Sequence, residues 1–395
     1  MDELNIIGRK SGLFQRDIEF LNSEIQEIIS NSKFLVIGAA GSIGQSVTLE
    51  LFKRGPKLLH AVDISENNLV ELVRTIRSSM GYIKGDFQTF AVDCGSMEFE
   101  LLSEQLGPYD YVFNLSALKH VRSEKDPFTL MRLIKTNILN TVSVLNSVKD
   151  RNLNNYFCVS TDKASNPVNL MGASKRIMEK YLMRESMLQH VTMARFANVA
   201  FSDGSLLHGF TQRILKKQPI TAPKDVRRYF ITPKESGELC ILSGFFGNNR
   251  DIFFPKLTDA LHLEHFSDIA ERFLHSLGYE PFQCSDEAEA RERASTLIPQ
   301  GQWPVFFFNS DTTGEKDFEE FHTASEKVDL NRFNDIGVVT NDADFLNDDL
   351  NNFQESISNM VHTGSWNKNE IIDLFIQLLP EFSHKDTGKY LDGRM

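Results

Sequence analysis

Lys33-Phe34-Leu35-Val36-Ile37-Gly38-Ala39-Ala40-Gly41-Ser42-Ile43-Gly44 is an apolar run that ends in three glycines spaced three apart, and Gln45 to Lys53 continues with helical spacing. Four successive apolar residues suit a strand buried on both faces of a parallel sheet. Glycines at 38, 41 and 44 let the backbone turn tightly and approach a ligand closely. The helix that follows offers free N–H groups and the positive end of its dipole.

Strand, glycine turn and helix together are the context a dinucleotide loop requires. The next apolar run, Leu58 to Val62, ends in Asp63, an acid about 20 residues on, placed to accept hydrogen bonds from an adenosine ribose. A plainer role for Asp63 is to cap the helix starting near Glu66. A carboxylate there repels a 2′-phosphate, which favours NAD over NADP, although Arg74 and Arg77 on the next helix pull the other way.

The alternation continues. Phe87–Val92 reads as a strand ending at Asp93, a candidate for the adenine edge. Tyr111–Leu115 reads as a strand that brings Asn114, Ser116 and Ala117 under the cofactor's ribose and phosphates. Pro127–Lys149 is a long helix and Asn155–Ser160 a fifth strand. This rhythm predicts an α/β fold: a Rossmann-like, doubly wound parallel sheet with a smaller C-terminal substrate-binding lobe. Residues 1–30 form a helical appendage, with Phe20, Leu21, Ile25, Ile28 and Ile29 at helical spacing. Residues 31–200 form the nucleotide-binding domain, and 201–395 the substrate lobe with a C-terminal extension. In the last part, 283–303 reads as a charged loop, 304–308 as a strand, Thr313 to Lys316 as a turn opening a helix, and 367–379 as a helix.

Tyr156 to Val159 leads into Thr161, Asp162 and Lys163, then a turn at Asn166-Pro167 and a helix on which Met171 and Lys175 share a face. A hydroxyl, a carboxylate and two amines thus gather at the carboxyl end of a strand, where open α/β sheets bind ligands. Alone, each is as well explained as a solvated turn residue; the glycine loop upstream favours a site.

Net charge is 42 − 54 = −12, which argues against a nucleic-acid partner. The four cysteines (Cys94, Cys158, Cys240, Cys284) lack metal spacing and read as buried thiols of a reducing cytoplasm. No metal site, signal peptide or membrane-spanning run is expected.

The pattern resembles the extended short-chain dehydrogenase/reductase superfamily, and within it the bacterial nucleotide-sugar 4,6-dehydratases of the polysaccharide-biosynthesis group that act on UDP-N-acetylglucosamine. The resemblance rests on G-A-A-G-S-I-G (38–44), A-L-K-H-V (117–121), S-T-D-K-A-x-N-P-x-N-x-M-G-A-S-K (160–175), R-F-x-N-V (195–199), R-R-Y-F-I-T (227–232) and G-E-K (314–316). It implies a tightly bound, recycled NAD held by Gly38, Ser42, Ile43, Gly44, Asp63, Asp93, Asn114, Ser116, Ala117 and Lys175. It implies UDP-sugar contacts from Lys119, His120, Asn198, Arg228 and Glu315. It also implies homodimers or larger homo-oligomers, paired through helices near 127–149 and 171–188.

Three positions depart from the superfamily: Met171 replaces the tyrosine four before the lysine, Ala197 stands at a common glycine, and Thr312 or a neighbour replaces an arginine before G-E-K. Met at 171 goes with members that retain configuration at C5. A 4,6-dehydration needs oxidation at C4, loss of the C5 proton and protonation of the leaving C6 oxygen. Lys163 is expected to be a neutral base at C5, Asp162 a protonated acid at O6, and Thr161 a hydrogen bonder to the C4 oxygen. Lys175 is expected to hold the nicotinamide ribose. Competing readings are a C5-inverting dehydratase, a 4-epimerase or reductase, and a non-catalytic NAD-binding protein. Met171 and the Asp162-Lys163 pair disfavour the epimerase, and the four retained polar groups disfavour a dead site.

Overall fold

In the computed structural model, which describes residues 2–149, 152–258, 261–314 and 316–390, the run from Phe34 to Ile37 is wholly buried in the strand Lys33–Ile37 (β1). Beside it lie Leu58–Asp63 (β2), Asp86–Ala91 (β3), Tyr111–Asn114 (β4), Asn155–Thr161 (β5) and Val191–Phe196 (β6). They pair in parallel in the order β3-β2-β1-β4-β5-β6, and Ile252–Pro255 adds a seventh parallel strand beyond β6. Ile336–Thr340, antiparallel to that seventh strand, and then Lys327–Asp329, antiparallel to Ile336–Thr340 and at the edge, complete the nine-stranded sheet. The doubly wound sheet expected from the sequence is therefore present, and its switch point lies between β1 and β4, the usual place for a ligand crevice.

Helices Ser42–Lys53 and Pro233–Phe246 pack together on the sheet, Gly237 lying against Ser46. The segment from Pro127 to Val148 is helical throughout, as expected, but Lys135–Leu139 is a π-helical turn. It packs beside the helix Leu170–Glu185.

The division at residue 200 does not follow the fold. Strands at 252–255, 327–329 and 336–340 return to the main sheet after the chain has built the small lobe. That lobe is a three-stranded parallel sheet (Ile220–Pro223, Gln302–Phe308, Glu280–Gln283) with helices Leu206–Leu215, Phe266–Ser276 and Glu287–Leu297. Its core of Ile220, Phe273, Trp303 and Val305 also takes in Ile6 and Ile7. The N-terminal segment is no mere appendage, since Ile25 and Ile29 of the helix Asn22–Asn31 belong to the main core.

Residues 283–303, expected as a loop, contain the helix Glu287–Leu297, whose buried face is only Ala290, Ala294 and Leu297. So small an apolar face gives little periodic signal. The helix expected after Thr313 is absent among the described residues; that stretch is tied instead to the tail. Thr313 N–H donates to the Lys389 carbonyl at 2.9 Å and Gly314 N–H to the Lys385 carbonyl at 3.0 Å.

Helices Asn347–Thr363 and Lys368–Leu378 do not join the substrate lobe either. Their Phe353, Ile357 and Phe375 form one apolar cluster with Leu130, Ile134 and Ile177. The C-terminal residues thus cover part of the surface of the two helices expected to meet another subunit. All four cysteines are buried and unpaired.

Candidate active site

Gly38 ends β1 with φ +73°, the left-handed region that glycine enters without strain. A Cβ there would stand 2.8 Å from the backbone between Leu115 and Ser116. One at Gly44 would run into the Gly38 carbonyl oxygen and, at 2.8 Å, into Ala39. The glycines are therefore required for the loop to lie flat across the strand ends.

Two cavities meet over this loop, sharing Gly38, Gly41, Leu115, Ala117 and Leu118 in their walls. One, of about 580 Å³, is lined by Asp63, Asp93 and Ser116. The other, of about 470 Å³, is lined by Ser42, Ile43, Gly44, Lys119, His120, Thr161, Asp162, Lys163, Met171, Lys175 and Asn198. Two chambers joined across a glycine loop fit a dinucleotide, with its diphosphate over the loop.

Asp63 is not a helix cap: Ser65 caps the helix at Glu66 by accepting from Asn68 N–H. The Asp63 carboxylate accepts Ala40 N–H at 2.9 Å and Ser65 N–H at 2.8 Å, which fixes it at the mouth of the larger cavity. Asn114 does not line either cavity. It is fully buried, donating to the Tyr156 hydroxyl at 2.7 Å and accepting the Ser116 hydroxyl at 2.7 Å, so it holds Ser116 in place from below.

At the end of β5 the Asp162 Oδ1 accepts both the Thr161 hydroxyl at 2.9 Å and the Lys163 Nζ at 3.1 Å. Burial alone would lower the Lys163 pKa, but the Asp162 and Glu319 carboxylates outweigh it and hold it above the usual lysine value. The expected neutral Lys163 is thus not the resting state; its neighbouring carboxylate keeps the proton on it. Lys175 differs. It is buried, its Nζ donates to the Val159 carbonyl at 3.0 Å, and burial lowers its pKa against weaker opposition from Cys158 and Glu179. Burial likewise lowers Lys119, opposed by Asp203, and lowers His120, reinforced by Lys119 and Arg122.

The strand and helix that carry Thr161 and Lys175 stand on a buried ionic network absent from the sequence expectations. Glu179, one turn past Lys175, accepts the Ser160 hydroxyl at 2.6 Å and two bonds from Arg195, at 2.9 and 2.7 Å. Arg195 also donates to Glu326 at 2.8 Å. Arg195 lay within a quoted motif, but its partners are 16 and 131 residues away in sequence, and no local pattern links them. The π turn has a similar role: Asn137 clamps the backbone N–H and carbonyl of Leu118 at 2.8 and 2.9 Å and donates to Ser174 at 3.0 Å. Phe230 and Phe266 of the small lobe, in edge contact at 5.5 Å, add an apolar wall to the smaller cavity that the sequence did not disclose.

Arg228 is not in that wall. It is buried, and its guanidinium donates to the carbonyls of Arg227, Lys316 and Asp317 at 2.7, 2.9 and 3.2 Å, because the loop after Gly314 folds over it. Glu315 lies outside the described residues.

Among known proteins, the chain is 26% identical over 332 residues to an uncharacterized membrane protein of Methanocaldococcus jannaschii, spanning 82% of this chain and 95% of that one. Among the described residues no helix here is long and apolar enough to cross a membrane. It is 30% identical to a UDP-N-acetylglucosamine 4,6-dehydratase (inverting) of Campylobacter jejuni over 244 residues, 58% of this chain and 68% of that protein. Of two further relatives, 28% and 30% identical, it spans only 44% and 41% of the length. The solved structure of Pen from Bacillus thuringiensis superimposes with a TM-score of 0.63 at 21% identity, over 79% of this chain and 88% of that one, a likeness of fold. The family described as polysaccharide biosynthesis protein matches residues 34–341, from β1 through the antiparallel strand Ile336–Thr340. That match takes in the glycine loop, the Thr161-Asp162-Lys163 cluster and the network beneath it, and the chain belongs to the polysaccharide biosynthesis protein family.

Proposed function

We propose that this chain is an NAD-dependent 4,6-dehydratase of UDP-N-acetylglucosamine, yielding a UDP-4-keto-6-deoxy-N-acetylhexosamine for a surface glycan. The observation that carries the proposal is the hydrogen-bonded row Thr161–Asp162–Lys163 at the edge of two joined cavities. NAD, when bound, supplies the hydride exchange between C4 and C6. The residues that would hold it are Gly38, Gly44, Asp63, Ser116 and Lys175.

The Asp162–Lys163 pair explains how an acid and a base arise together. An ammonium beside a carboxylate and an amine beside a carboxylic acid differ only by one proton moved across the 3.1 Å hydrogen bond. Substrate that displaces water from the cleft disfavours the charged form and favours the neutral one. In that form Lys163 takes the C5 proton and Asp162 protonates the leaving O6, while Thr161 bonds the C4 oxygen. Met171 moves no proton and Asp162 already carries the one destined for O6, so water accepts the proton of the C4 hydroxyl, and a proton from water restores Asp162 after O6 has left. A single base that removes and returns the C5 proton on one face gives retention at C5. A 4-epimerase would need only C4 chemistry and would leave the Asp162–Lys163 pair idle.

The test is to incubate the protein with UDP-N-acetylglucosamine in D₂O without added cofactor and follow the sugar by NMR. A 4-keto-6-deoxy product carrying deuterium at C5, with H1–H2 and H2–H3 couplings that keep the ring conformation of the substrate, is the expected result. A C4 epimer without C5 exchange would replace the proposal with an epimerase, and no conversion even with NAD added would remove this substrate.

A further inference from the structure

The family match ends at residue 341, yet the larger cavity is lined in part by residues beyond it: Val361, at the end of the helix Asn347–Thr363, and Trp366, in the link to the next helix. Trp366 is fixed there. Its Nε1 donates to the Pro127 carbonyl at 2.9 Å, and its ring meets Phe128 edge-on at 5.8 Å. The two C-terminal helices that carry these residues are anchored through Phe353 and Phe375 to the helices beside the site.

Large apolar side chains stand exposed around this cavity. Ile64 is 65% exposed, Phe128 72% and Val361 40%, and all three line the cavity that also holds Asp63. Large apolar side chains left in water around a concave site are characteristic of a surface that a ligand covers. A flat apolar rim over a fixed carboxylate suits a purine nucleoside, with the base against the rim and the ribose hydroxyls at Asp63.

We propose that the C-terminal extension is a retaining wall for the cofactor: Trp366 and Val361 cover the adenosine end of the dinucleotide and slow its escape. The inference rests on the dinucleotide reading of the cleft, and adds a wall that the family-matched region does not contain. A retained cofactor suits a reaction in which hydride leaves and returns within one turnover.

The experiment loads the 395-residue chain with NADH and follows its displacement by excess NAD through NADH fluorescence, in wild type, Trp366→Ala and Val361→Asn. Loss of a base–aromatic contact should speed release about ten-fold in Trp366→Ala. Loss of a half-exposed apolar contact should speed it about three-fold in Val361→Asn. Thermal melts without cofactor accompany both. Val361 is exposed, so Val361→Asn should melt like wild type and carries the test if Trp366→Ala is damaged. Wild-type release rates in folded variants would overturn the retaining wall alone. A wild-type protein that binds no NADH would overturn the dinucleotide reading and the wall with it.

Discussion

The two ends of the cleft are built differently. At the glycine loop the shape is made by backbone: Gly38 in the left-handed region, Gly44 flush against its neighbour, and Asp63 held by two N–H groups. At Thr161–Lys175 the shape is made by side chains standing on buried charges, with Asp162 paired to Lys163 and Glu179 locked between Ser160 and Arg195. Backbone-built recognition depends on steric fit and little on protonation. A site built on ion pairs moves with pH and fails when one partner is lost. The cofactor end should therefore withstand changes that disable the chemical end.

Lys163→Met tests this most severely. Removing the proposed base and the partner of Asp162 should lower kcat by about 10²–10⁴-fold, while NADH binds with wild-type affinity because Lys163 takes no part in the glycine loop. Steady-state kinetics and an NADH titration on the same preparation decide it. If NADH affinity fell along with kcat, the two ends would be mechanically coupled and the contrast would break.

Acid sharpens the same contrast at smaller cost. Burial raises the Glu326 pKa, but hydrogen bonds and charge from Arg195, then Arg176, outweigh it and bring the group down to about 2, from 4.5. A carboxylate with a depressed folded pKa stabilises the fold fully above its unfolded value and loses that contribution as pH falls through the folded one. The difference corresponds to about 3 kcal/mol, lost progressively below about pH 4.5. Denaturant unfolding of wild type should weaken over that range, and Glu326→Gln, less stable at neutral pH, should show a flatter acid limb. Equal acid limbs in the two proteins would mean that the network is not what acid dissolves.

The same division explains what the sequence could tell. The glycine loop, the strand before it and Asp63 are specified by residues close together, and so are Thr161, Asp162 and Lys163, which need only one strand end. Arg195 could be noticed but not interpreted, since Glu326 reaches it from just before the edge strand Lys327–Asp329, which follows the small lobe in the chain. The surroundings of Arg228 were hidden for the same reason: the arginine expected at a diphosphate donates here to carbonyls 88 and 89 residues further along. Of the two C-terminal helices only Lys368–Leu378 was legible as a helix, while Asn347–Thr363 was not, and neither announced the surface it covers, because an amphipathic face does not name its partner.

The smallest effect, and the one that bears most directly on the chemistry, is expected from Met171→Tyr. Met171 is only 4% exposed, yet its side chain reaches the smaller cavity, one helical turn before Lys175. A larger ring has the cavity to enter, so the variant should fold, with a stability cost of about 1–3 kcal/mol at most. The new phenol would lie beside an amine whose pKa burial already lowers, a pairing able to accept the C4 hydroxyl proton in place of water. Turnover should then change by about ten-fold or less, since one proton path replaces another, and the solvent isotope effect on the C4 step should change with it. The H1–H2 and H2–H3 couplings of the product ring report whether the proton still returns to its original face. Altered isotope effect with unaltered ring couplings would assign Met171 to the C4 step alone and leave Lys163 in control of C5. Identical kinetics, isotope effect and couplings would mean that the C4 hydroxyl proton does not leave through this position.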